Sequence, residues 1–320
     1  MKRRAFIAGL GGAAALPLVA RAQQPAMPVI GHLTSSTLSD FWPPFSQGLK
    51  DTGFVEGKNL AIETRSAEGQ YDRLPGLASE LVGRNVNVIV ANGAVSAALA
   101  AKAATTTIPV VFGVGSDPVK WGLVASLNRP GGNVTGVTII DTMLMEKRLE
   151  LIHEVVPKAT VIGLLLNPSN PNAEAQAAEM ETLTRSRNLK LQVVNISTSS
   201  NVTSAFSELV RVHADAVLIG SDALMANLRD QMVALAELHR IPMIYPFPTA
   251  GGLMSYGVSV NDVFQQMGLY TGRVLKGEKP ADLPVVQASK VELTINLKSA
   301  KSLGLTFPLP LLGRADEVIE

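Results

Sequence analysis

The sequence predicts an α/β protein of two lobes, each a parallel sheet covered by helices, and three observations predict it. The chain is 320 residues long, too much for one ordinary domain and comfortable for two. It is 47% hydrophobic and only 17% charged, against about 25% charged in typical soluble domains, which suits sheets buried on both faces. From Pro28 onward short apolar runs alternate with helical periodicity, in a layout that occurs twice.

In the first copy strands are predicted at Val29 to Leu33, Asn59 to Thr64, Val86 to Ala91, Pro109 to Phe112 and Val134 to Ile139. Helices fall between them at Phe41 to Thr52, Tyr71 to Arg84, Val95 to Ala104 and Val119 to Leu127. The second copy opens with a helix from Met145 to Val156 and a strand from Val161 to Leu166, whose following Asn167-Pro168-Ser169-Asn170 loop echoes the end of the first strand. Strands at Lys190 to Val194, Ala216 to Ile219 and Met243 to Tyr245 follow, with helices at Ala173 to Arg187, Val202 to Val212 and Ala226 to His239. Gly131-Gly132-Asn133 precedes the expected first crossing between lobes and Gly251-Gly252 the second. A helix at Val263 to Leu275 and a tail with Ile295-Asn296-Leu297 require a third crossing. The expected division is 23–138 for the first lobe, completed by about 253–288, and 139–252 for the second, completed by about 289–320.

The first 22 residues read as a signal peptide. Lys2-Arg3-Arg4 is a basic start, Ala5 to Val19 an apolar stretch shorter than a bilayer span, and Ala20-Arg21-Ala22 a small-x-small cleavage site. Export to the periplasm is expected, with a mature start near Gln23, by the general secretory route or, given Arg3-Arg4-Ala5-Phe6-Ile7, the twin-arginine route. Gly9-Leu10-Gly11-Gly12-Ala13-Ala14 imitates a dinucleotide fingerprint, but it lies inside the signal and no acidic residue occurs before Asp40.

Composition narrows the chemistry. Net charge is +1 and the basic start is the longest Lys/Arg run, so neither nucleic acid nor a charged membrane surface is expected as a partner. There is no cysteine, which removes disulfides, thiolate nucleophiles and Cys-bound zinc. His32, His153, His213 and His239 are scattered without metal spacing, so no metal is expected. No serine sits in a G-x-S-x-G elbow and there is no phosphate-binding P-loop, so neither a hydrolase constellation nor a transport ATPase is legible, and no cofactor is expected. Three Asn-x-Ser/Thr sequons, at Asn133, Asn195 and Asn201, are incidental behind a bacterial-type signal.

Open α/β sheets bind ligands beyond the carboxyl ends of their strands, where helix N-termini present unpaired N–H groups. The candidate ligand-binding residues follow from those loops: Ser36, Trp42, Ala94, Ser96, Ser116 and Asp117 in the first lobe, Asn167, Asn170, Ser221, Asp222 and Phe247 in the second. The Asn92-Gly93-Ala94 turn could hold a carboxylate at a helix dipole's positive end. Asp117 before Pro118 has the form of a helix cap, and Asp222, with no proline after it, suits either a cap or a ligand ammonium. Trp42, Tyr245 and Phe247 could stack on a ring or serve as core.

The run Asp117-Pro118-Val119, Gly122-Leu123-Val124, Ser126-Leu127 and Arg129 to Val137 carries a resemblance, together with the tail Ile295-Asn296-Leu297-Lys298, Ala300, Leu303-Gly304-Leu305 and Ala315 to Ile319. The sequence is similar to the ABC transporter substrate-binding family that includes the tryptophan-binding TrpX type, over nearly all of the chain after the signal. The resemblance implies two Rossmann-like lobes of the type I periplasmic-binding-protein fold, a hinged cleft with three crossings, no enzyme activity and an ABC permease as partner. It also implies an amino-acid site, with hydroxyls and helix amides around the carboxylate and an aromatic-lined pocket. Where such relatives carry Thr-Pro-Ala-Ala after the third strand, this sequence has Ala94-Val95-Ser96-Ala97-Ala98, so a hydroxyl contact is lost while backbone amides remain. The expected function is a periplasmic receptor of an ABC importer that captures a small organic acid, aromatic acid or amino acid. The alternatives are a solute-sensing receptor for a membrane signalling protein and an exported hydrolase. A monomer suits a receptor that docks both lobes on a permease.

Overall fold

The computed structural model describes residues 27–37, 42–139, 142–247 and 251–320. The signal peptide, its false fingerprint, Asp40 and Phe41 lie outside the described residues.

In chain order the first half comprises β1 (Val29–Thr34), α1 (Trp42–Asp51), β2 (Ala61–Ser66), α2 (Leu74–Gly83), β3 (Val88–Asn92), α3 (Val95–Ala104), β4 (Val110–Val114) and β5 (Val134–Thr138). The second comprises α4 (Thr142–Val155), β6 (Val161–Leu166), α5 (Ala173–Ser186), β7 (Lys190–Asn195), α6 (Val202–Arg211), β8 (Ala216–Ile219), α7 (Ala223–Asn227), α8 (Arg229–His239), β9 (Met243–Tyr245) and β10 (Met254–Val258). Then follow α9 (Val260–Leu275), β11 (Val286–Gln287), β12 (Val291–Asn296), α10 (Leu297–Leu303), α11 (Leu309–Leu312) and β13 (Glu317–Ile319).

Two sheets result, ordered β11-β5-β4-β3-β1-β2 and β13-β12-β10-β9-β8-β6-β7. Every pairing is parallel except β10 with β12. Strands β6 and β8 are apolar without interruption because both faces are covered, and alternate residues feed different cores. On β3, Ile89 and Ala91 join the core under α2 and α3, whereas Val88 and Val90 join the core under α1 and α9. On β6, Leu164 packs with α4 and Leu165 with α6.

The chain crosses between sheets after β5, after β10 and after β11. Two sequence expectations change. Met254–Val258 pairs with β9 in the second sheet, so the return to the first sheet falls at Ser259 rather than near 253. Residues 119–127 form turns instead of a helix: Gly122 takes φ +67° and donates to Val119 O, closing a turn where a helix would continue.

Arg148 of α4 is wholly buried, and its Nε donates to Tyr256 O of β10 at 2.7 Å and its Nη2 to Pro246 O at 3.4 Å. It fastens the segment after β9 to the strand that leads into the second crossing. Among the described residues no helix is long and apolar enough to cross a membrane.

Candidate ligand cleft

The carboxyl ends of both sheets face one cavity of about 130 Å³, the scale of a ~150 Å³ apolar cavity that accepts benzene. One wall is the turn from β3 into α3. Gly93 is required there, because a Cβ would lie 2.5 Å from Ser35 Oγ in the loop after β1. Ala94 adopts extended backbone as the N-cap of α3 and offers no side-chain acceptor, so nothing on the cap residue covers the first N–H groups of the helix. Asn92 also lines the cavity, and its Oδ1 lies 2.8 Å from His32 Nε2. A second wall is apolar: Val260, Val263, Phe264 and Met267 recur at i, i+3, i+4 and i+7 along α9.

The third wall comes from the second lobe. Asp222 is 4% exposed and caps α7, Oδ1 accepting from the N–H groups of Leu224 (2.7 Å) and Met225 (3.2 Å). Its Oδ2 accepts from Asn170 Nδ2 at 2.8 Å and from Tyr71 OH, across the cleft, at 2.5 Å. Asn167 Nδ2 approaches both oxygens, at 3.2 and 3.4 Å. Burial, then the adjacent Asp222 charge, pushes the Tyr71 phenol well above its ordinary range, so it stays a donor. Two more bonds span the cleft: Ser36 Oγ donates to Asn227 Oδ1 at 2.8 Å, and Trp121 Nε1 donates to Asn172 Oδ1 at 3.1 Å.

Of the residues expected at the site, Ser36, Ala94, Asn170, Ser221, Asp222 and Phe247 line the cavity. The other five do not. Trp42 packs on Phe45 (5.0 Å between ring centres) and His32 (5.2 Å) in the first lobe's core. Ser96 sits two positions beyond Ala94, a rotation of roughly 200° around the helix, and lies half-buried outside the lining. Ser116 is buried, its carbonyl taken by Thr138 Oγ1 at 2.7 Å. Asp117 is exposed and turns back on its own loop, Oδ1 accepting from Val119 and Lys120 N–H. Asn167 stands behind Asp222 as its donor. Asp222 takes the capping alternative, and protein donors approach both of its oxygens. Tyr245 is core.

Sequence reasoning missed Tyr71, Trp121, Asn172 and Asn227, whose partners lie 51 to 191 positions away. It missed the α9 wall for a different reason. The i, i+3, i+4, i+7 stripe was legible there, but only the crossing at Ser259 turns it toward the cleft.

The model of the family described as "ABC transporter substrate binding protein" matches residues 15–319. The chain belongs to that family. A "Tyrosine-binding protein" of Clostridioides difficile is 31% identical over 264 residues, 82% of this chain and 75% of that protein. Three solved structures each cover 91% of this chain and match over 99% of their own. They are a conserved domain protein from Vibrio cholerae (29% identity, TM-score 0.83), an ABC domain in complex with L-Trp from Streptococcus pneumoniae (27%, 0.80) and a ligand-free, open substrate binding protein with adhesive properties from Clostridium difficile (26%, 0.63). The substrate binding protein described here therefore has the type I periplasmic-binding-protein fold expected from its sequence.

Proposed function

We propose that this substrate binding protein is the exported solute receptor of an ABC importer, closing its lobes on an amino acid or small aromatic acid and presenting the closed form to a membrane permease. The carrying observation is the cleft itself: a cavity between lobes, bridged by Tyr71–Asp222, Ser36–Asn227 and Trp121–Asn172, with a bare helix N-terminus on one wall and an apolar stripe on another. A carboxylate suits the helix N-terminus and an apolar or aromatic remainder suits α9.

The relatives support the same reading. One is named for tyrosine and one holds L-Trp, and at nearly equal identity the L-Trp complex superposes better than the open, ligand-free relative. Closure needs no chemistry. A ligand that touches both lobes only when they meet shifts the open–closed equilibrium by its differential affinity. Lobes of residues 27–138 plus 260–287 and 142–258 plus 291–319 would rotate about three strand connections, with residues 1–22 serving as the export signal and the mature chain acting as a monomer.

A thermal-shift screen of the chain from Gln23 against amino acids, aromatic acids and short organic acids tests this. Ligand present at about 100 times Kd stabilises the native state by about 2.7 kcal/mol, so one class should raise Tm by several degrees and be recovered unchanged at one per chain. No shift from any class, with an ester or amide consumed in the same wells, overturns the receptor reading in favour of an exported hydrolase.

A further inference from the structure

The turn between β3 and α3 holds a polar side chain whose orientation is fixed from behind. Asn92 ends β3 and is 7% exposed. In the sheet β1 lies between β3 and β2, and the registers set Thr34 beside Asn92 and His32 beside Thr64. His32, 8% exposed, spans the strands: Nε2 meets Asn92 Oδ1 at 2.8 Å and Nδ1 meets Thr64 Oγ1 at 3.3 Å. An amide oxygen only accepts, so His32 carries its proton on Nε2 and its Nδ1 accepts from the threonine hydroxyl. The Trp42 ring, 5.2 Å away, packs against the imidazole.

With Oδ1 held from behind, the Asn92 Nδ2 group makes no hydrogen bond to any described residue, and Asn92 lines the cavity. The uncapped start of α3 adjoins it. This wall offers donors and no competing side-chain acceptor, while among the described residues no Lys, Arg or His lines the cavity.

We propose that Asn92 is a specificity-determining residue, its NH₂ locked toward the cleft by His32 so that, with the α3 N-terminus, it selects a ligand carboxylate over the corresponding carboxamide or amine. His32 is then a positioning residue, and Asn92 supplies a side-chain donor on a wall where Ala94 and Val95 supply none. The ligand is a monocarboxylate with an apolar remainder, since a second carboxylate would meet Asp222 with no cation among the described lining residues to offset it. The inference rests on the receptor reading.

The test titrates the protein with L-tryptophan, L-tyrosine, L-phenylalanine and indole-3-acetate, and then with the primary amide of whichever acid binds best. Wild type should prefer the acid by about 100-fold or more, because the amide leaves buried donors poorly matched. Asn92→Ala should lose about 10- to 100-fold in acid affinity, the scale of one hydrogen bond to a charged group. Asn92→Asp, which places a carboxylate on the same wall, should lose more for the acid than for the amide, so that discrimination collapses. His32→Gln can still donate from its Nε2 and should retain most of the preference, whereas His32→Leu should not. Unfolding curves confirm that each variant is folded. Equal affinity of folded Asn92→Asp and wild type for the acid, or equal affinity of wild type for acid and amide, overturns the inference while leaving the receptor reading intact. A wild type that binds none of the four acids but binds another solute overturns the carboxylate assignment, and one that binds no solute overturns both.

Discussion

At the scale of single residues, the cleft is held by groups whose protonation is set by burial. His32 is pushed below its ordinary pKa by desolvation, against the opposing effect of its hydrogen bond to Asn92. The sign for stability follows from proton counts. Between the lowered native pKa and the ordinary value of about 6.5, the unfolded chain binds a proton that the native chain does not. Stability contributed at this site is therefore intact above about pH 7 and falls as pH drops below about 6.5, with a slope of at most about 1.4 kcal/mol per pH unit. The difference in Tm between wild type and His32→Gln should be flat above pH 7 and shift in favour of the variant at lower pH. A difference that stays constant down to pH 5 would contradict the desolvated histidine. Tyr71 works the other way: its raised pKa keeps the phenol protonated, so its bond to Asp222 persists at neutral and mildly alkaline pH. Tyr71→Phe removes a hydrogen bond to a charged acceptor, typically worth about 1.5–3 kcal/mol. It should weaken ligand binding by about 10- to 100-fold, because that bond spans the lobes, and calorimetric titration measures it directly.

At the scale of elements, α9 couples the fold to the site. It packs tightly on α1 through small residues: a Cβ on Gly268 would run into Phe45 O and one on Gly48 into Gln265 O. The same helix supplies Val263, Phe264 and Met267 to the cavity. Gly268→Ala should therefore cost about 1–3 kcal/mol, as overpacking usually does, and should also weaken ligand binding by displacing the α9 wall. A lowered denaturation midpoint with unchanged affinity would uncouple the two. Arg148 makes a similar case in the second lobe. Arg148→Met leaves buried carbonyls of Pro246 and Tyr256 without their donor, at about 1–3 kcal/mol each, which chemical denaturation would record. These elements also show what was legible in sequence. The buried strands declared themselves because parallel sheets need unbroken apolar runs, and Val161–Leu166 and Ala216–Ile219 begin and end where their composition says. The stretch at 119–127 misled because its apolar residues have helical spacing, while Gly122 and the Asp117 side chain form local turns that compete with it. Met254–Val258 was overlooked because its Ser255, Tyr256 and Gly257 break the apolar run, although both faces are packed.

At the scale of the whole molecule, three short connections join the two sheets, and among the described residues the hydrogen bonds of Tyr71, Ser36 and Trp121 and the packing of Leu224 on Gly69 span the cleft. The loops that form the site could be named from the rule that ligands sit beyond strand carboxyl ends. Six of the eleven residues chosen from them do line the cavity. The other five lie outside that lining: the Asp117 side chain turns back on its own loop, and Ser96 falls on another side of α3. The interlobe bonds of Tyr71, Ser36 and Trp121 have no local signal, because each exists only when the lobes are brought together. Those bonds make lobe closure the step on which the proposed receptor role turns, and small-angle X-ray scattering measures it. The protein should give a wider, open profile alone. With a saturating acid from the thermal-shift screen, it should shift at one ligand per chain to the profile calculated from this structure, with a smaller radius of gyration. A ligand that binds at that stoichiometry and leaves the profile unchanged would contradict ligand-driven closure.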